Sequence, residues 1–200
     1  KIVSIDTSEA EALPGVKAVA CCTNSPRKKF NASATMVLTL RPEEPIRDQQ
    51  LFPDIVRYIG DEVAAVAAVD EKTAEKALKL IKVEYEELPA VFDPLEAVKT
   101  DAPDVQSGIP IKNTCGKGVE FGIGDVKKGI AEGDVIAEAT IKLPRVKQAQ
   151  METHAAIADY HQDGELYVIS TTQTPHPTKM ILAYALDMPE SKVHVSNPPY

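Results

Sequence analysis

Apolar and polar positions recur at a period of two in some stretches and at three to four in others, and the switches lay out the elements. Lys1-Ile2-Val3-Ser4-Ile5-Asp6 reads as a strand. From Gly15 to Thr23 the chain alternates and then turns continuously apolar, a second strand entered through the Pro14-Gly15 turn. Residues 24–50 carry prolines at 26, 42 and 45 and lose the regularity; they predict a long connection with one short strand, Met36 to Leu40. The clearest unit spans 55–88. Val56 to Ile59 is predicted as a strand, Gly60-Asp61 as a turn, and Glu62 to Val69 as a strand buried on both faces. Asp70 is placed to cap a helix whose Ala74, Ala77, Leu78 and Ile81 share one face. Val83, Tyr85 and Leu88 then alternate with glutamates in a strand that Pro89 ends.

The second half repeats this logic. Residues 93–121 lack periodicity and read as a connection between units. Asp125 can cap a short helix through Ala131, stopped by Gly133. Val135, Ala137, Ala139, Ile141 and Leu143 alternate strictly and predict a strand. Ala155–Tyr160 and Glu165–Thr171 are predicted as strands joined by a hairpin at Gln162-Asp163-Gly164. A helix from Pro175 or Pro177 to Leu186 and a last strand, Val193 to Val195, complete the pattern. The fold class is α+β, with units at 1–95 and 124–200 joined by a 96–123 linker.

Composition narrows the function classes. The 200 residues are 44% hydrophobic, enough for one sizeable core or two small ones. A net charge of −8 argues against nucleic acid or an anionic membrane as partner. No run approaches the roughly 18 apolar residues of a membrane span, and the start lacks a signal-peptide core, so a cytoplasmic location is expected. Cys21, Cys22 and Cys115 are odd in number and lack metal-ligand spacing; they read as reduced thiols, a vicinal Cys21-Cys22 redox switch being the sharper alternative. The four histidines form no short metal-binding motif, so no protein-ligated metal is expected.

No nucleophile elbow, P-loop or dinucleotide fingerprint is present. Gly116-Lys117-Gly118 reads better as a flexible connection than as a phosphate loop. The Glu84-Tyr85-Glu86-Glu87 cluster reads better as a solvated strand face than as a cation site. Two polar clusters stand out. Met151-Glu152-Thr153-His154 brings a carboxylate and an imidazole to the mouth of a sheet, where Glu152 and His154 either line a pocket or simply satisfy backbone groups at a strand start. Ser170-Thr171-Thr172-Gln173-Thr174-Pro175 passes from strand to helix. It is either a polar turn capped by Thr174 or His176, or a spot where free N–H groups and the helix dipole suit an anion. There Gln173 offers a neutral amide able to hold a bound oxygen.

Several of these segments together resemble a known family. Ala12 to Val19, Val56 to Ala67 and Val83 to Pro89 are similar to the α/β-hammerhead domain of the large subunit of xanthine dehydrogenase and aldehyde oxidase. Gly124-Asp125-Val126, Met151 to His154, Ser170 to Pro175 and Met188-Pro189-Glu190-Ser191-Lys192-Val193 resemble the opening of that family's molybdenum-cofactor-binding domain, in the same order. The resemblance implies a molybdenum ion held by a molybdopterin cofactor, not by side chains. It implies hydroxylation of a purine, N-heterocycle or aldehyde with oxygen from water, and electrons leaving through iron–sulfur clusters to FAD on other domains or subunits. It carries over Gln173 as a residue beside the molybdenum's oxygen ligand; Thr172 next to it is expected to contact the cofactor too, and Glu152 and His154, from their own reading, to line the pocket.

Alternatives within the family are a reductive or carbon-monoxide-oxidising enzyme; outside it, a non-catalytic binding or assembly module. Expected partners are the iron–sulfur and FAD units, a small-molecule substrate and a possible homo-oligomer. Where the family often has a histidine shortly before the Met-Glu pair, this chain has Lys147-Gln148-Ala149-Gln150. The family's glycine-rich loop after the last strand and its distant catalytic glutamate are not among the 200 residues. The chain therefore reads as a fragment truncated at both ends. The apolar faces of Val135–Leu143 and of the helix around Met180, Ala183 and Tyr184 are expected to lack cover, favouring self-association or local disorder after about residue 145. By itself the 200-residue chain is expected neither to hold the cofactor tightly nor to turn over substrate; elemental analysis finding stoichiometric molybdenum on it would contradict this.

Overall fold

The computed structural model describes residues 1–32, 47–106, 112–114 and 121–198. The expected Met36–Leu40 strand, Cys115 and Gly116–Gly118 lie outside these. The elements, in order, are β1 (Ile2–Asp6), α1 (Ser8–Glu11), β2 (Val16–Cys21), β3 (Ala64–Ala68), α2 (Glu71–Leu78), β4 (Lys82–Tyr85) and α3 (Pro94–Ala97). They continue as α4 (Val126–Ala131), β5 (Ala156–Tyr160), β6 (Leu166–Ser170), α5 (Pro175–Leu186), a 3-10 turn (Glu190–Lys192) and β7 (Val193–Ser196). Helices and sheets are mixed as expected for α+β, and among the described residues no helix is long and apolar enough to cross a membrane.

In the first half, pairing is less local than the sequence suggests. β3 pairs antiparallel with β2, Val19 facing Val66, and β4 pairs antiparallel with β1, Asp6 facing Lys82. Helices α1 and α2 bury Ala10 and Ala77 completely beside Val19, with Leu13, Val16, Val66, Leu80 and Ile81 packed around them. Two alanines at the contact let the helices approach closely. Asp70 caps α2 as expected, its carboxylate accepting from Thr73 N–H at 2.7 Å, and these Thr73 hydrogen bonds hold its carboxyl below the usual range. Leu78, expected on the buried face, is 47% exposed.

Two other expectations are corrected here. Val56–Ile59 is not a strand, since β3 has its partner in β2; the segment closes into a turn in which Asp61 accepts from Arg57 N–H at 2.5 Å. β3 is not buried on both faces, because Ala65 and Ala67 are exposed while Ala64, Val66 and Ala68 are half-buried. The 96–123 stretch, expected as a linker, carries local structure among its described residues. α3 overlaps its start, capped by Asp93, and the Asn113 side chain donates to Ala97 O and Pro103 O and accepts from Val105 N–H, at 2.8–2.9 Å. Glu84 of β4 and Glu86 just after it serve cross-strand contacts: Ser4 Oγ donates to Glu84 at 2.8 Å, and Lys1 pairs with Glu86.

The second half forms a three-stranded sheet in the order β5-β6-β7, β5–β6 antiparallel and β6–β7 parallel. The turn at Asp163-Gly164 is present, Gly164 adopting φ +83°. α5 crosses from β6 to β7 and covers one face, burying Ala183 with Leu166, Val168 and Val193. α4 forms as expected, capped by Asp125 through Lys128 N–H at 3.0 Å. Val135–Leu143 is not a strand: the segment pairs with no strand among the described residues, and Val135, Ile141 and Leu143 are 80% or more exposed. On α5, Ala183 is covered, whereas Met180 is half exposed.

Gly15 is the most constrained glycine. It adopts φ +97°, its carbonyl accepts from Val69 N–H at 2.9 Å, and a Cβ there would stand 2.9 Å from Val69 Cγ2 and 3.2 Å from Thr73 Cγ2. Gly15→Ala therefore meets both a disfavoured backbone and a clash, and is expected to cost about 1–3 kcal/mol. Denaturant titration reads this, and an unchanged midpoint would contradict the packing of β2 on α2.

Candidate functional site

The two polar clusters meet at one end of the β5–β6 pair. Ala156 faces Ser170 in the ladder, and carrying the same count two residues further brings His154 level with Thr172. An open depression of about 420 Å³ lies there, lined by His154, Ala155, Ala156, Ser170, Thr171 and Thr172. Its polar side chains are hydroxyls and one imidazole, with no carboxylate among the lining.

Of the four expected site residues, His154 and Thr172 line the depression. Gln173 is next in the chain, exposed where β6 hands over to α5. Glu152 is exposed two residues before His154 and is not part of the lining. Ser170 and Thr171 line it too; their place in the same polar run was the available signal.

The passage into α5 is held by hydroxyls. Thr172 Oγ1 accepts from Thr174 N–H at 3.1 Å and lies 3.1 Å from Thr178 Oγ1, which itself donates to Thr174 O at 2.8 Å. Since Thr178 spends its proton on that carbonyl, Thr172 is left as the donor of the hydroxyl pair. Of the two expected cap positions, Thr174 is the N-cap residue, but it makes no side-chain cap bond; its own N–H is held by Thr172 from two residues upstream.

Helix starts normally offer several free N–H groups. Here Pro175 and Pro177 have none, and Thr174 N–H is already bonded to Thr172. Of the N–H groups at the helix start itself, Thr174 to Pro177, this leaves His176 N–H. What remains at this corner includes no carboxylate: the Gln173 amide, hydroxyls, the His154 imidazole and the positive end of a 12-residue helix.

Two other histidines lie elsewhere. Tyr167 stacks on His194 with ring centroids 4.5 Å apart and lies 4.8 Å from His161. Glu165 accepts from Tyr167 Oη at 2.8 Å and lies 3.2 Å from His194 Nε2, and the Tyr167–Glu165 hydrogen bond pushes the Tyr167 phenol up. Cys21 is buried and Cys22 half-buried, both free thiols. Burial, with Cys21 adding to it, pushes the Cys22 thiol up, which disfavours the thiolate a redox switch needs.

Known proteins share this arrangement. Residues 1–89 match the family model described as aldehyde oxidase and xanthine dehydrogenase, a/b hammerhead domain, and residues 110–200 match the molybdopterin cofactor-binding domain. The chain is 34% identical over 194 residues to the xanthine dehydrogenase molybdenum-binding subunit of Escherichia coli O157:H7, covering 96% of this chain and 25% of that protein. It is 33% identical over 211 residues to the carbon monoxide dehydrogenase large chain of Afipia carboxidovorans, covering 99% of this chain and 25% of that one. The aldehyde oxidoreductase structure from Desulfovibrio gigas superposes with a TM-score of 0.77 at 26% identity, over 99% of this chain and 22% of that one. The chain thus spans about a quarter of the length of these relatives. With both halves matched in order, and the depression inside the half matched as cofactor-binding, the chain belongs to the family of molybdenum-binding subunits of the xanthine dehydrogenase and aldehyde oxidase type.

Proposed function

We propose that the chain forms part of a molybdenum hydroxylase acting on a purine, N-heterocycle or aldehyde, with Gln173, Thr172 and His154 at the cofactor. In this reading, residues 1–95 are the hammerhead unit, 96–123 the link and 124–200 the beginning of the cofactor-binding unit. The observation that carries the proposal is the meeting of His154 with Thr172, and of Thr172 with Gln173, at the end of the β5–β6 pair. The donor set fits an oxygen-rich anionic group, because the lining offers hydroxyls and an imidazole and no carboxylate to repel it.

Bound there, the cofactor supplies the redox centre for inserting oxygen from water into a C–H bond. Gln173 presents its amide to an oxygen of the bound group without adding charge. Thr172 fixes the turn that carries Gln173, through its bonds to Thr174 and Thr178, so the backbone from which the amide reaches out is set before anything binds. His154 lines the depression from the β5 side, and Glu152, exposed two residues earlier, is outside the lining. Iron–sulfur and FAD units, as separate domains or subunits, are the proposed electron route. A carbon-monoxide-oxidising role is the second reading, favoured by the 33% identity to the carbon monoxide dehydrogenase large chain.

In the intact, cofactor-loaded enzyme, Gln173→Ala is expected to keep its molybdenum content and lower kcat about 100-fold, comparable to losing one preorganised donor. Thr172→Val is expected to give a smaller loss in the same direction, since the amide remains but its turn loosens. Metal analysis with steady-state kinetics on each variant reads this. Full molybdenum with an unchanged rate in Gln173→Ala would defeat the assignment.

A further inference from the structure

A helix C-terminus carries partial negative charge and usually attracts cations in its last turn. α5 has no basic residue in its last turn. Two cations from the first half of the chain stand there instead. Lys28 Nζ lies 5.2 Å from the centre of the Tyr184 ring, and Arg47 Cζ lies 4.4 Å from it. The same pair reaches polar ends: Arg47 donates to the Tyr184 hydroxyl, and Lys28 pairs with the Asp187 carboxylate.

Asp187 holds φ +58°, the left-handed cap conformation, with its N–H bonded to the carbonyls of Ala183 and Tyr184. That bend carries the Asp187 carboxylate past the end of the helix, where Lys28 meets it.

Both sides of the contact are anchored in their own half. On the helix side, Ala183 and Ala185 flank Tyr184 and are buried at 4% and 3% exposure. On the other side, Asn24 accepts from Cys21 N–H and donates to Val19 O, both at 2.8 Å, tying the segment before Lys28 to β2. Arg27 donates to Phe52 O at 3.0 Å and pairs with Asp54 at 3.1 Å. Phe30 and Gln49 exchange both backbone hydrogen bonds at 2.9 Å, which brings the chain of Arg47 alongside that of Lys28. The two cations are therefore presented by two braced segments, 24–31 and 47–50.

From this geometry we infer that Tyr184 and Asp187 form the docking point at which the first half engages the second: Lys28 and Arg47 supply the cations that the end of α5 lacks. The interaction combines attraction to the ring face, to the ring hydroxyl and to the helix end. A solvent-exposed Lys–Asp pair by itself contributes little, so the Arg47–Tyr184 contact carries most of the coupling.

Hydrogen exchange on the intact protein tests this across the contact. Arg47→Gln is expected to speed exchange of the 183–188 amides about tenfold, and Tyr184→Leu to speed that of 24–31 by a similar factor. The double variant should add little to either single one, and exchange in β6 should stay unchanged throughout. Tyr184→Phe, which keeps the ring between the cations, should retain most of the protection. Acceleration confined to the segment that was mutated, or additive effects in the double variant, would overturn the docking point. Should Tyr184→Leu lose protection everywhere, Arg47→Gln alone decides, because its side chain belongs to neither core cluster.

Discussion

A backbone amide or carbonyl taken from water must find a partner, and in the second half of the chain β6 is where this requirement is most fully met. It pairs with β5 on one side and β7 on the other, while α5 lays Ala183 over Leu166, Val168 and Val193. Everything at the candidate site takes its position from that strand. Its end supplies Ser170 and Thr171, and its continuation supplies Thr172 and Gln173. The register of β5 on it brings His154 across. A slip of one residue would turn Leu166 and Val168 out of the core, so burial of those side chains also fixes which residues face each other at the mouth.

The start of α5 shows how local chemistry shapes the corner. Two prolines and one threonine-mediated bond remove most of the N–H groups that a helix start offers. The corner is left with hydroxyls, an amide, an imidazole and the helix dipole, and with no carboxylate in the lining, an environment suited to a group whose charge is spread over several oxygens. Thr172 both lines the depression and braces the turn, so its hydroxyl is already committed to Thr174 and Thr178 when a ligand arrives.

Local signals were legible in the sequence. Asp70 and Asp125 announced their helices through capping, Asp163-Gly164 announced its hairpin, and the apolar pattern of α5 and β7 gave their extents to within a residue or two. Pairing between distant segments was not legible, because a strand's partner is no property of its own residues. Thus Val56–Ile59, apolar and next to β3, looked like its hairpin partner, while β2 holds that edge. Val135–Leu143 alternates as a strand should and yet has no partner strand among the described residues. At the site, the polar runs around His154 and Gln173 were visible; that they share one depression depends on the β5–β6 register, which the hairpin implied. The cations around Tyr184 lie far from it in sequence and had no local signal at all.

The mouth of the β5–β6 pair, with Gln173 at its rim, is the proposed seat of the molybdenum cofactor. Anomalous diffraction at the molybdenum edge, on crystals of the intact cofactor-loaded protein, tests it most directly. The account predicts a molybdenum peak facing this mouth, with the Gln173 amide within hydrogen-bonding distance of an oxygen of the bound group. A molybdenum peak remote from it, with Gln173 making no contact to the cofactor, would contradict the account.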